Sequence, residues 1–493
     1  MRNAIMAIGQ VVITGVVLFF LYRYLLKTLG AERVGIWAVV LATTSATRVS
    51  ELGLAGGAIK FVAAANARGD LEKGADVVQT ALLTIGILLA IVLVAGYPLI
   101  DWLLARIVPV TNLADALEIM PYALASVWLS GTGGVIHSSL DGCQRADLRA
   151  MVAMVAGVAF LLLVLALTPV YGLVGLGMAQ VCQSLFIMVV SWLLLRRQMS
   201  SLPLLPFRWR FSVFREMFSY GLNFQIISIF SLLYEPLTKA LLTKFGGLSA
   251  TAYFEMAGRM VTQFRALVVS ANQVLVPKIA AVHATSPEQI AQLYRDTYRV
   301  VLFMVLPLFA FMVAAVPLVG LIWIGHEQPD FVFFGVVVTL GYLFNTLSGP
   351  VYFMNLGTGT LHWNVFAHVV LGLLTAVFGY VLGIFWGGRG VVIGSVTALI
   401  LASAIIVLGT YKDQKIPFRD LIPDESLWLL FTSFVAIILG SFVNWVAIED
   451  ISTIIQYLTG LLVAAVVLAP AVWKHPVRIV IWTRVASICY RSR

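Results

Sequence analysis

Eight charged residues sit inside stretches otherwise built from aliphatic, aromatic and small side chains: Arg23, Arg48, Glu51, Glu235, Lys239, Glu255, Arg259 and Arg265. A charge at mid-bilayer costs at least about 2.5–3.5 kcal/mol on insertion scales, so each needs a partner or a cavity. Spacing offers three internal pairs. Glu235 and Lys239 are four residues apart, as are Glu255 and Arg259, while Arg48 and Glu51 are three apart. Each pair shares a helix face and either neutralises itself or serves a site. Arg23 falls near the outward end of its stretch, where a long side chain can snorkel to the interface. Arg265 differs from these: positions 261, 262, 268 and 269 carry no carboxylate, and it lies near the middle of its stretch. An arginine there calls for a water-filled cavity or an anionic ligand.

Arginine suits phosphate, because its planar guanidinium bonds two oxygens at once and stays charged. A cleft holding Arg265, Arg48, Arg259 and Arg23 would take a pyrophosphate. Glu51, Glu235, Glu255 and Lys239 would then set the charge balance, and one carboxylate is a candidate for a coupling H+ or Na+. Pro236, directly after Glu235, either frees a carbonyl at such a site or simply kinks the helix.

Other chemistry is missing. The sequence has no GxxxxGK[ST] phosphate loop, no HExxH and no GxSxG. Its six histidines are isolated, and Cys143, Cys182 and Cys489 are too scattered for a disulfide framework or a metal site. No resident cofactor or metal is expected. Outward loops are too short for membrane-bound sugar chemistry, so the chain is expected to move something and not to be an enzyme.

The elements that must position these residues follow from composition. Of 493 residues, 61% are apolar and 11% charged, and mean hydropathy is +0.98. That excludes a cytosolic enzyme, a nucleic-acid binder and a secreted disulfide scaffold. Apolar runs of roughly 20 residues, the length that spans a bilayer, fall at 4–26, 34–58, 77–100, 119–140, 151–169, 173–195 and 217–242. Seven more follow at 252–276, 299–324, 331–354, 364–386, 390–410, 427–447 and 454–473. The expected fold is an all-α polytopic membrane protein of about 14 transmembrane helices. The first run reads as a span and not a cleavable signal, since it lacks a small-x-small cleavage site. With Met1 cytoplasmic, 22 basic residues fall on the cytoplasmic side and five (Lys27, Arg33, Arg106, Lys244, Arg389) on the other. This asymmetry predicts that both termini are cytoplasmic.

A weak internal repeat organises the spans. Leu25–Gly30 lines up with Leu241–Gly246, and with a drift of one or two residues Arg48 falls beside Arg265 and Lys60 beside Lys278. The eight charges lie in spans 1, 2, 7 and 8, which the repeat pairs, so they are expected to line one central cleft. The domain reading is an N-lobe over 1–200 (spans 1–6) and a basic, proline-containing cytoplasmic linker over 201–216. A C-lobe over 217–411 (spans 7–12) follows, then spans 13–14 and a basic tail over 412–493.

Several stretches resemble the polysaccharide transporter (Wzx-type O-antigen and exopolysaccharide flippase) family of the MATE/MOP exporter superfamily. They are Leu29-Gly30-Ala31-Glu32-Arg33-Val34-Gly35-Ile36-Trp37, Glu51-Leu52-Gly53-Leu54, Lys60-Phe61-Val62-Ala63 and Arg68-Gly69-Asp70. Further along come Leu140-Asp141-Gly142-Cys143-Gln144-Arg145, Tyr171-Gly172-Leu173-Val174-Gly175-Leu176-Gly177 and Gly388-Arg389-Gly390-Val391-Val392-Ile393-Gly394-Ser395. The resemblance implies two six-helix lobes around a central cavity, two added C-terminal helices and alternating access. It further implies a bacterial inner-membrane location and an undecaprenyl-pyrophosphate-linked oligosaccharide as cargo. Membrane lipid, a polysaccharide polymerase and chain-length machinery are the implied partners, with no nucleic acid. The lipid II flippases of the superfamily resemble this chain in having arginines in helices 1, 2 and 8, which implies headgroup contacts for Arg23, Arg48, Arg259 and Arg265. Glu51 stands where family members often have Asp. Rival readings are a lipid II flippase, a cation-coupled drug or metabolite antiporter and a non-transporting scaffold of a polysaccharide assembly complex. A cation site should be net acidic, whereas five of the eight charges are basic.

Overall fold

The structure, a computed structural model, describes residues 2–45, 54–273, 279, 282, 286, 289–414, 423–446 and 452–479. The helices are α1 (Arg2–Ser45), α2 (Leu54–Ala67), α3 (Leu71–Ile107), α4 (Val110–Gly142), α5 (Ala146–Gln198) and α6 (Phe211–Gln273). They continue as α7 (Ile290–Ile324), α8 (Pro329–Leu347), α9 (Gly349–Thr358), α10 (His362–Gln414), α11 (Asp424–Trp445) and α12 (Thr453–Lys474). No strand occurs among the described residues. Nine stretches of helix there are long and apolar enough to cross a membrane.

These nine stretches carry eleven of the fourteen apolar runs, because α5 and α10 each hold two. A straight helix of 53 residues, the length of α5, would be about 80 Å long, against about 30 Å of hydrocarbon. The four longest helices are therefore broken, each at one glycine: Gly30 in α1, Gly172 in α5, Gly247 in α6 and Gly387 in α10. Contacts across the breaks show that the chain doubles back. The hydroxyls of Thr243 and Thr251 are 2.8 Å apart across Gly247, and the Tyr22 and Trp37 rings are 6.0 Å apart across Gly30. A Cβ on Gly175 would lie 2.5 Å from the Leu167 carbonyl oxygen, and one on Gly390 would overlap that of Leu382.

Backbone angles at the breaks fall into two kinds. Gly30 (φ 81°, ψ 165°) matches Gly247 (φ 85°, ψ 174°), while Gly172 (φ 55°, ψ −131°) matches Gly387 (φ 59°, ψ −143°). These angles lie in or near a region that only glycine enters readily. Spans 1–2 thus repeat in spans 7–8, and spans 5–6 in spans 11–12. The conformational match pairs Gly30 with Gly247, one residue beyond the Gly246 that the sequence alignment chose. Arg48 and Arg265 share that same offset of 217 residues.

The chain forms two compact units, 1–256 with 379–391, and 257–378 with 392–493. In the first, Val62, Val78, Ile85, Ile136, Leu140 and Trp192 pack α2, α3, α4 and α5 together. In the second, α7, α11 and α12 meet through Ala310, Ala314, Ala436 and Ala464. Small residues let membrane helices approach closely where lipid supplies no hydrophobic drive between them. Outward-facing Phe431, Phe434, Leu462 and Val466 are exposed, as expected of lipid-facing surface.

Candidate functional site

In the first unit the turn at Gly247 folds span 8 back against span 7, which brings Glu255 to Lys239. The Lys239 ammonium lies 2.5 Å from the Glu255 carboxylate and 2.5 Å from that of Glu235. Tyr22, on α1, donates to the other Glu255 oxygen at 3.2 Å. The side chains of Lys239 and Glu255 are 3% and 4% exposed, whereas Glu235 is 58% exposed. One ammonium thus bridges two carboxylates. The expected Glu235–Lys239 pair is present. Glu255, however, meets a lysine sixteen residues away across the turn, a partner that helical spacing did not suggest. In the repeat register Tyr22 is the counterpart of Lys239, so both equivalent positions reach the same carboxylate.

In the second unit Arg265 lies on the distal half of α6. Its Nη2 donates to Asn345 Oδ1 at 2.8 Å, and Asn345 Nδ2 donates to Ser403 Oγ at 3.2 Å. Ser403 itself donates to the Leu399 carbonyl oxygen at 2.8 Å, so the chain of bonds is anchored in α10. The guanidinium lies over the Tyr342 ring, 5.3 Å from its centroid. Its Nε is buried without a hydrogen-bond partner. Among the described residues no carboxylate pairs with Arg265. A guanidinium has five N–H donors. Here a neutral amide and an aromatic face hold it, with donor capacity left over and its charge uncompensated. A guanidinium so held has the donor chemistry to bind an oxyanion.

Of the remaining expected site residues, Arg23 on α1 and Arg259 on α6 have exposed side chains. Arg48 and Glu51 lie outside the described residues. Tyr22, Tyr342, Asn345 and Ser403 were not singled out from the sequence. Asn345 had a signal, being an amide in the middle of an apolar span, whereas Ser403 looks like any small helix-packing residue. Among the described residues no group of three or more His, Cys, Asp or Glu side chains could hold a metal ion.

The broken long helices define a multi-pass, all-helical membrane protein, and its fold is similar to that of the MATE transporters of the MOP superfamily and of the lipid II flippase MurJ. An inward-facing multidrug resistance MATE transporter of that superfamily matches with a TM-score of 0.70 at 18% identity, covering 83% of this chain and 98% of its own. The lipid II flippase MurJ, in an inward closed conformation, matches with a TM-score of 0.68 at 13% identity, covering 94% and 97%. An outward-facing multidrug resistance MATE transporter gives 0.61 at 16% identity over 84% and 95%. By sequence, residues 29–328 match the family described as polysaccharide biosynthesis protein, and the chain belongs to that family. No curated protein sequence matches it.

Proposed function

We propose that this protein is a flippase that carries an undecaprenyl-pyrophosphate-linked oligosaccharide across the bacterial inner membrane by alternating access, driven by an ion gradient. A hydrophilic sugar pyrophosphate cannot cross about 30 Å of hydrocarbon unaided. The observation that carries the reading is Arg265: a guanidinium in the membrane-spanning region with an unused donor and, among the described residues, no carboxylate partner fits a pyrophosphate oxygen. Membership of a polysaccharide biosynthesis family supports a glycan-bearing cargo. Arg259, Arg23 and Arg48 are the further candidates for headgroup contact. The Glu235–Lys239–Glu255 group, with one exposed member, is the candidate for charge balance or for taking up H+ or Na+, and Glu51 is a further carboxylate candidate.

Reconstitution tests this. Purified protein in liposomes containing a fluorescent undecaprenyl-pyrophosphate oligosaccharide should move the headgroup between leaflets, faster under an imposed H+ or Na+ gradient. Folded protein that moves no such substrate, with or without a gradient, would refute it.

A further inference from the structure

The segment after α5, Met199 to Arg210, does not hang between helices but lies as a strap along α3. The Phe207 and Arg208 backbone N–H groups both donate to Gln79 Oε1 at 3.2 Å, and the Arg210 N–H donates to Thr80 Oγ1 at 3.2 Å. Trp209 Nε1 donates to Thr84 Oγ1 at 3.0 Å, and Arg210 Nε sits 3.1 Å from the buried Asp76 carboxylate. At the near end Trp192 Nε1 donates to the Leu204 carbonyl oxygen at 2.9 Å. The polar residues of α3, out of place in an apolar span, are there to hold this strap.

Pinned this way, the strap presents apolar side chains outward: Leu205 is 73% exposed and Phe207 66%. Arg208 and Arg210 alternate with the aromatic residues. Such surface belongs at a membrane interface, where aromatic rings and arginines meet headgroups. Behind Leu204–Pro206 opens an apolar groove of about 590 Å³, floored by α3, α4 and α5 through Gly86, Ala90, Trp128, Met188 and Trp192. On α3 it runs from Leu82 to Ala90, about 12 Å of helix rise, most of the roughly 15 Å depth of one leaflet's hydrocarbon. Its mouth lies on the side that the charge count assigns to the cytoplasm. Arg197 and Arg208 there are exposed and have no carboxylate within ion-pair distance among the described residues.

We infer that the strap and groove form a binding site for an anionic phospholipid of the cytoplasmic leaflet. One acyl chain lies in the groove against Trp128 and Trp192, and the phosphate group meets Arg197 and Arg208. Charge complementarity decides the occupant, because basic pockets between membrane helices on the cytoplasmic side select anionic headgroups. The site is separate from Arg265 and does not depend on what the protein transports.

The test uses the full chain in nanodiscs of neutral lipid doped with phosphatidylglycerol or phosphatidylcholine bearing a photoactivatable diazirine in the acyl chain. Crosslinks are mapped by peptide mass spectrometry. Phosphatidylglycerol should label the peptides around Ala90, Trp128 and Trp192 in preference to phosphatidylcholine, by roughly fivefold for each arginine that engages it. Arg197→Gln with Arg208→Gln should reduce that preference to parity, and Ala90→Trp, which fills the groove, should suppress labelling by both lipids. Both substitutions sit on exposed or lipid-facing surface, and monodispersity is checked in each. Equal labelling by the two lipids in the wild type would overturn the proposal, as would a preference that survives loss of both arginines. So would displacement of the probe by unlabelled undecaprenyl phosphate but not by unlabelled phosphatidylglycerol.

Discussion

Lys239 is the residue whose removal the structure makes most informative. It is 3% exposed and bridges Glu255, 4% exposed, and Glu235, 58% exposed. Lys239→Met keeps the length and apolar stem but takes a buried cation away from the Glu255 carboxylate, which still accepts from the Tyr22 hydroxyl at 3.2 Å. Breaking a buried pair by removing one partner costs about 3–5 kcal/mol. Glu235 is largely exposed, so Glu235→Gln should cost no more than about 1 kcal/mol. The double variant Lys239→Met with Glu255→Gln removes both buried charges and leaves an amide that still accepts from Tyr22, so it should recover most of the loss. Reversible denaturant unfolding in a defined detergent, followed by tryptophan fluorescence, orders the four proteins. The expected order is wild type, Glu235→Gln and the double variant close together, with Lys239→Met well below. A Lys239→Met protein as stable as wild type, or a Glu235→Gln protein as damaged as Lys239→Met, would refute the reasoning that the cross-turn pair carries the load.

Other outcomes follow from the same geometry. Gly387→Ala forces an L side chain into backbone that only glycine adopts readily and should cost about 1–3 kcal/mol. Gly390→Ala places a Cβ on the Leu382 carbonyl oxygen and should abolish monodisperse protein in size-exclusion chromatography; normal yields of both would contradict the hairpin at Gly387. Single cysteines at Ser249 and Ser286 should be labelled from opposite sides of the membrane, and labelling from one side would overturn the topology. His475 ends α12 beside Ser426, and burial, helped by Arg299, lowers its pKa below the ordinary 6.5. A folded-state value below the unfolded one means stability is complete above about pH 6.5 and falls as the unfolded chain takes up a proton that the folded chain resists. His475→Gln should flatten that acid-side slope in thermal unfolding; an unchanged slope would remove His475 as its source.

How much of this was readable from residues alone varies with the range of the interaction. The apolar runs were legible because each is a local property, and apart from Ser348 and Val446 the described parts of all fourteen fall on helix. The repeat was legible to within one residue, since short apolar matches slide freely. Backbone angles at Gly30 and Gly247 set the register, and no side-chain pattern encodes them. Glu255 shows the limit most clearly. Helical spacing offers Arg259, and the pairing with Lys239 exists only because Gly247 turns the chain back. Gln79 and Thr80 read as part of an apolar span, and Asp76 as the residue before it, until the strap over them is seen. Arg265 stood out by its lack of nearby carboxylates in sequence, and among the described residues the same lack holds in space. Its actual neighbours, Tyr342 and Asn345, come from span 10, and Asn345 is held in turn by Ser403 of span 12; no local rule connects these spans to span 8.

The central claim is that the Arg265 guanidinium receives a pyrophosphate oxygen, and binding measures it most directly. Purified wild type, Arg265→Lys and Arg265→Ala, each shown to be folded, would be titrated with undecaprenyl pyrophosphate in nanodiscs by tryptophan fluorescence. Losing one charge-assisted hydrogen bond of about 1.5–3 kcal/mol should weaken binding by Arg265→Ala roughly ten- to hundredfold. Arg265→Lys should fall between the two, since it keeps the charge but not the fork. Equal affinity in all three proteins would contradict the account.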